Sequence, residues 1–203
     1  MEGHVKERVN GGRLASLVSL CLSPVVLIWL TTVTVTAALT GRVEKKAEFL
    51  AVSLMLGFLM SVVPALPIIR RFLAGLERLD VPRETRRSGF VFLLAYCSSI
   101  AVLVSGLLGI KPLWVTSVVY ALTSVCLMLV SSFLKASVHM TVLLSSATLM
   151  ASVNLFFLAL PLYLLAPVVA WARIKLGAHN LREVVAGSLL GLTLPAAIIA
   201  LLP

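Results

Sequence analysis

The sequence predicts an all-α, polytopic transmembrane helical bundle of about six to seven spans, and three observations carry that prediction. Apolar residues fill 60% of the 203 positions and the mean hydropathy is +1.09, where soluble domains are about 45–50% apolar. Charged residues amount to 12%, roughly half the usual share. A soluble core of this length would not shelter so much apolar surface, and a disordered chain would be far more polar. The apolar residues also run on continuously, whereas the strands of a membrane β-barrel alternate.

A spanning helix needs about 20 mostly apolar residues. Residues 14–40 and 49–69 meet this requirement. The first of these is too long for a signal-peptide core and lacks a small-residue cleavage site, so it reads as a span. Residues 89–110 and 112–134 are separated by little more than Lys111 and predict a tight hairpin. Residues 138–176 are too many for one helix; Pro161 and Pro167 interrupt them, and a turn near residues 158–161 would make two spans. Residues 181–202 form the last. The expected organisation is one integral membrane domain over 1–203, with N-terminal spans in 14–69 and a functional core in 80–191. Cys21, Cys97 and Cys126 fall inside the apolar runs at no metal-ligand spacing and read as small buried hydrophobes.

Threading seven spans puts three polar segments on one face of the membrane: residues 70–87, 135–139 and 173–183. With the N-terminus on that face, it holds thirteen of the 17 Lys and Arg residues, and the opposite face holds four: Arg42, Lys45, Lys46 and Lys111. The positive-inside rule then makes the polar face cytoplasmic. Setting aside four cations that are candidates for ligand binding leaves nine against four, and the orientation stands. The net charge of +9 is thus a matter of topology, head groups and phosphate rather than of nucleic acid.

His139 and His179 lie at span boundaries on this face with Arg or Lys close by in sequence. Ionisable groups at membrane depth are costly and tend to mark function. A neutral imidazole is a competent nucleophile toward phosphorus when its other nitrogen donates to a carboxylate, and Glu183 follows His179 by one helical turn. A second histidine suits a general acid, and Arg and Lys suit phosphoryl oxygens. The chain has a single Asp, Asp80; no carboxylate cluster for Mg²⁺ is apparent, so no metal or other cofactor is expected.

These residues resemble the type 2 phosphatidic acid phosphatase (lipid phosphate phosphatase) superfamily, whose signature is K-x6-R-P, P-S-G-H and S-R-x5-H-x3-D. The third part is matched best: Arg173, His179 and Glu183 keep the spacing, with Glu for Asp and Ala172 for Ser. In the second, Ser137 and His139 are kept, while Ala136 and Val138 replace Pro and Gly. The first is degenerate around Arg83 and Arg86, with no Lys seven residues before either. Lys135 is the candidate for the missing cation. The resemblance implies that His179 is the nucleophile, His139 the acid for the leaving group and Glu183 the residue orienting His179. It implies phosphate binding by Arg173, Lys135, Ser137, Arg83 and Arg86, and a lipid phosphate or diphosphate, of polyprenyl diphosphate or phosphatidate type, as substrate.

Other readings stand beside these. Asn180 and Glu183 also form a capping box for the last helix, and Gly187 and Gly191 have the spacing of close helix packing. A non-catalytic membrane protein retaining the lipid phosphatase fold is the alternative to an enzyme. The lone Asp excludes the clustered aspartates of a CDP-alcohol phosphotransferase.

Overall fold

The computed structural model describes residues 2–41, 44–73 and 89–202, with side chains described from residue 12 and, in the second stretch, through residue 70. The described residues form eight α-helices and no strand: α1 (Glu2–Cys21), α2 (Pro24–Leu39), α3 (Lys46–Leu73), α4 (Gly89–Leu107), α5 (Lys111–Ser131), α6 (Val138–Ser152), α7 (Phe156–Lys175) and α8 (Leu181–Leu201). Six stretches are long and apolar enough to cross a bilayer, the first of them Gly12–Leu39, and α6 is a shorter apolar helix. The protein is an integral, multi-pass membrane protein.

Three expectations change in detail. The run over residues 14–40 is broken at Leu22 and Ser23. Pro24 opens α2, and Ser23 takes an extended conformation (ψ 151°) with its hydroxyl accepting from the Val26 N–H. A residue before proline is driven out of the helical region, and a serine there caps the next helix. Residues 138–176 do form two helices, but the break falls at Val153–Leu155 and not at 158–161. Asn154 adopts a left-handed conformation (φ 63°) that ends the ladder, while Pro161 and Pro167 ride inside α7, as prolines in membrane helices often do. Of the three cysteines expected to be buried, Cys97 is, Cys126 is half-buried and Cys21 is exposed.

Helix α6 is the centre of the bundle. Every residue from Met140 to Met150 is buried, with α8, α7 and α2 packed around it. At 1.5 Å per residue its 15 residues span about 22 Å, short of the roughly 30 Å hydrocarbon thickness. Its shortness is accommodated because its neighbours, rather than lipid, cover it; irregular backbone at membrane depth is tolerated where protein surrounds it. Gly187 and Gly191 bring α8 onto α6. A Cβ at Gly187 would lie 2.5 Å from the Ser137 carbonyl oxygen, and one at Gly191 2.5 Å from that of Thr141. Thr141 Oγ1 completes the seam by donating to the Gly187 carbonyl at 3.1 Å.

Candidate functional site

The R-x5-H-x3-E spacing is the geometry of one helix ending and another beginning. Arg173 sits in the last turn of α7, and its carbonyl accepts from both the Ala178 and His179 N–H groups, at 3.1 and 3.3 Å. Gly177, at φ 65°, supplies the left-handed residue that lets the chain turn back there. Asn180 then caps α8: its Oδ1 accepts from the Glu183 N–H at 3.0 Å, and its own N–H donates to Glu183 Oε2 at 3.2 Å. His179 Nδ1 reaches the same Oε2 at 2.9 Å. The capping and orienting roles weighed for Glu183 are therefore one arrangement, in which a single oxygen holds both the helix start and the imidazole.

The joint between α5 and α6 lies directly against this turn. Lys135 Nζ donates to the Ala178 carbonyl at 2.9 Å, and the Ser137 N–H donates to the Glu183 carbonyl at 3.0 Å. The first turns of α6 and α8 thus lie side by side, and paired helix N-termini favour an anion. The Ser137 side chain is fully buried, and its hydroxyl makes no hydrogen bond among the described residues. His139, half-buried in the first turn of α6, contacts a residue that sequence reasoning did not single out. Its Nε2 lies 3.2 Å from the Ser19 carbonyl oxygen and 3.3 Å from Ser19 Oγ. Arg173 Nη1 donates to that Oγ at 2.7 Å.

Arg173 and His179 are both buried, at 6% and 7% exposure. Burial pushes the His179 imidazole down to about 4 from 6.5, and the charges of Arg173 and Lys135 push the same way against the opposing pull of Glu183. His179 is therefore neutral at pH 7. With Nδ1–H donating to the carboxylate, its Nε2 presents a lone pair. Such a site holds a neutral imidazole nitrogen beside two cations, with His139 linked to Arg173 through Ser19.

Comparison of the chain with protein-family models, curated proteins and solved structures finds no match.

Of the residues singled out from the sequence, Lys135, Ser137, His139, Arg173, His179 and Glu183 come together. Arg83 and Arg86 lie outside the described residues. Among the described residues, no three His, Cys, Asp or Glu side chains gather as a metal site would require. Ser19 and the Ala178 carbonyl were missed. The Ser19 contacts span 120 and 154 residues, and no local pattern encodes them.

Proposed function

We propose that the protein is a membrane-embedded lipid phosphatase, releasing phosphate from a lipid phosphate or diphosphate through a phosphohistidine intermediate. The observation that carries this reading is the Glu183–His179 hydrogen bond, set beside Arg173 and Lys135, with His139 joined to Arg173 through Ser19. His179 Nε2 attacks phosphorus and forms the N–P bond as the P–O bond to the lipid breaks. His139 gives its Nε2 proton to the departing oxygen and recovers one from the water that then cleaves the phosphohistidine. Arg173 and Lys135 hold the phosphoryl oxygens, where charge gathers in the transition state. Glu183 fixes the tautomer and stabilises the imidazolium character that develops on attack. The charge distribution favours a cytoplasmic site, a face that suits products of cytosolic prenyl transfer as well as phosphatidate-type lipids.

A second reading, a membrane protein that keeps this arrangement without turnover, draws on Ser19, which contacts both Arg173 and His139. Phosphate release by the purified protein separates the two. Prenyl diphosphates, phosphatidate and phosphatidylglycerophosphate are the substrates to offer, in detergent and with excess EDTA. The expected result is release from at least one, persisting in chelator and falling to background in His179→Ala. Retention of most activity in His179→Ala, or a need for added Mg²⁺, would refute the histidine mechanism.

A further inference from the structure

Among the described residues, helix α1 meets the polar groups of the site at Ser19, whose exposure is 9%. A carbonyl oxygen can only accept, so the contact between His139 Nε2 and the Ser19 carbonyl places the proton on Nε2. That nitrogen is the one the proposed mechanism directs at the leaving oxygen. The Ser19 hydroxyl oxygen meanwhile accepts from Arg173 Nη1 at 2.7 Å, a donor the same mechanism directs at a phosphoryl oxygen. Hydroxyl and carbonyl together thus present oxygen acceptors to this pair of donors, as a phosphoryl group would. These hydrogen bonds and those to a phosphoryl group in the same place exclude one another.

The way α1 is attached suits exchange. It is joined to α2 through the break at Leu22 and Ser23, with Pro24 beyond. Its main packing is against α7, whereas α2 packs against α3, α5 and α6. Leu14, Leu17 and Leu20 on α1 are all more than half exposed. Withdrawing its last turn gives up the packing of Val18 and Leu22 on the main core but not the glycine seam between α6 and α8.

Resting on the phosphatase reading, we infer that α1 is a latch on the site: Ser19 competes with the substrate's phosphoryl group for Arg173 and His139, and the last turn of α1 moves away when that group binds. The test is binding of inorganic phosphate to the purified full-length protein, wild type against Ser19→Ala. Hydrogen bonds to a charged group are strong enough that removing this competitor should tighten phosphate binding about tenfold. Ser19→Thr, which keeps the hydroxyl, should stay within about twofold of wild type. In the wild-type protein, saturating phosphate should raise amide hydrogen exchange over residues 14–22. Equal or weaker phosphate binding in Ser19→Ala, absence of binding to either protein, or unchanged exchange in α1 would each overturn the latch. Lipid turnover is measured separately, so a protein that hydrolyses lipid phosphates without tightening in Ser19→Ala loses the latch and keeps the proposed function. One that tightens without turnover keeps the latch and loses the phosphatase.

Discussion

Replacing Gly187 with alanine should loosen the seam that carries the candidate site. The added Cβ would lie 2.5 Å from the Ser137 carbonyl oxygen and 3.0 Å from its nitrogen. Ordinary contact begins at roughly 3.4 Å, so α8 must retreat by about 0.9 Å. Both close atoms are backbone, between buried Ala136 and half-buried Val138, so neither can turn aside as a flexible side chain would. A retreat of that size would stretch the Ser137–Glu183 and Thr141–Gly187 hydrogen bonds, now 3.0 and 3.1 Å, beyond useful length. Overpacking of this kind costs about 1–3 kcal/mol, and two weakened hydrogen bonds add about 1 kcal/mol each. A total of about 4 kcal/mol should lower the melting temperature by about 10 °C in a chain of this size. Far-UV circular dichroism during thermal unfolding in detergent measures it. Gly89→Ala is the control, because a Cβ there meets nothing within 4 Å among the described residues and it should melt like wild type. A Gly187→Ala protein melting within about 2 °C of wild type would refute the close approach of α8 to Ser137.

Three more outcomes are expected. Glu183→Gln keeps an oxygen for the Asn180 N–H and for His179 but loses the charge, so turnover should fall about tenfold at unchanged melting temperature, whereas Glu183→Ala should lower both; equal turnover in Gln and wild type would remove the orienting carboxylate from the mechanism. Nitrogen-15 NMR of histidine-labelled protein should show one signal, absent in His179→Ala, that stays neutral from pH 8 to pH 5 in keeping with a value of about 4. Because that value is lowered, the folded state binds fewer protons than the unfolded chain between about 6.5 and 4, and this group's contribution to stability declines as pH falls through that window. A midpoint at or above 6 would contradict the burial and cation effects assigned here. Impermeant thiol reagents on intact cells, with single cysteines introduced at Asn180 and at Lys45 in a chain lacking its own three, should label position 45 and leave 180 untouched until the membrane is permeabilised; labelling of 180 alone would reverse the orientation.

The spans were legible because membrane solvation writes itself into composition: a helix facing lipid must be apolar over its length. The turn joining α7 to α8 was legible for a different reason, since Arg173, Gly177, His179, Asn180 and Glu183 are local and their spacing is set by capping geometry. Helix breaks were harder. Ser23-Pro24 is a readable cap inside an otherwise uninterrupted apolar run, and its hydrophobicity hid it. Pro161 drew attention that belonged to Asn154, because the bundle accommodates a proline in α7 more readily than α6 continues through Val153. Ser19 had no signal at all. An isolated serine in an apolar helix commonly bonds to its own backbone, and its contacts to Arg173 and His139 are decided only when distant helices pack.

The buried position of α6 also bears on how the chain is made. An emerging helix enters the bilayer on its own account when lipid is a better surrounding than water. Helix α6 is too short for the hydrocarbon thickness, and Ser145, Ser146 and Thr148 stand among its buried residues. Its surroundings in the finished protein are α2, α5, α7 and α8, the last two of which leave the ribosome after it does. A nascent chain stopped before α8 would lack the glycine-bearing surface that α6 packs against. The first turn of α6 carries His139 and His179 directly precedes α8, so the two histidines can meet only after the chain has been made to the start of α8.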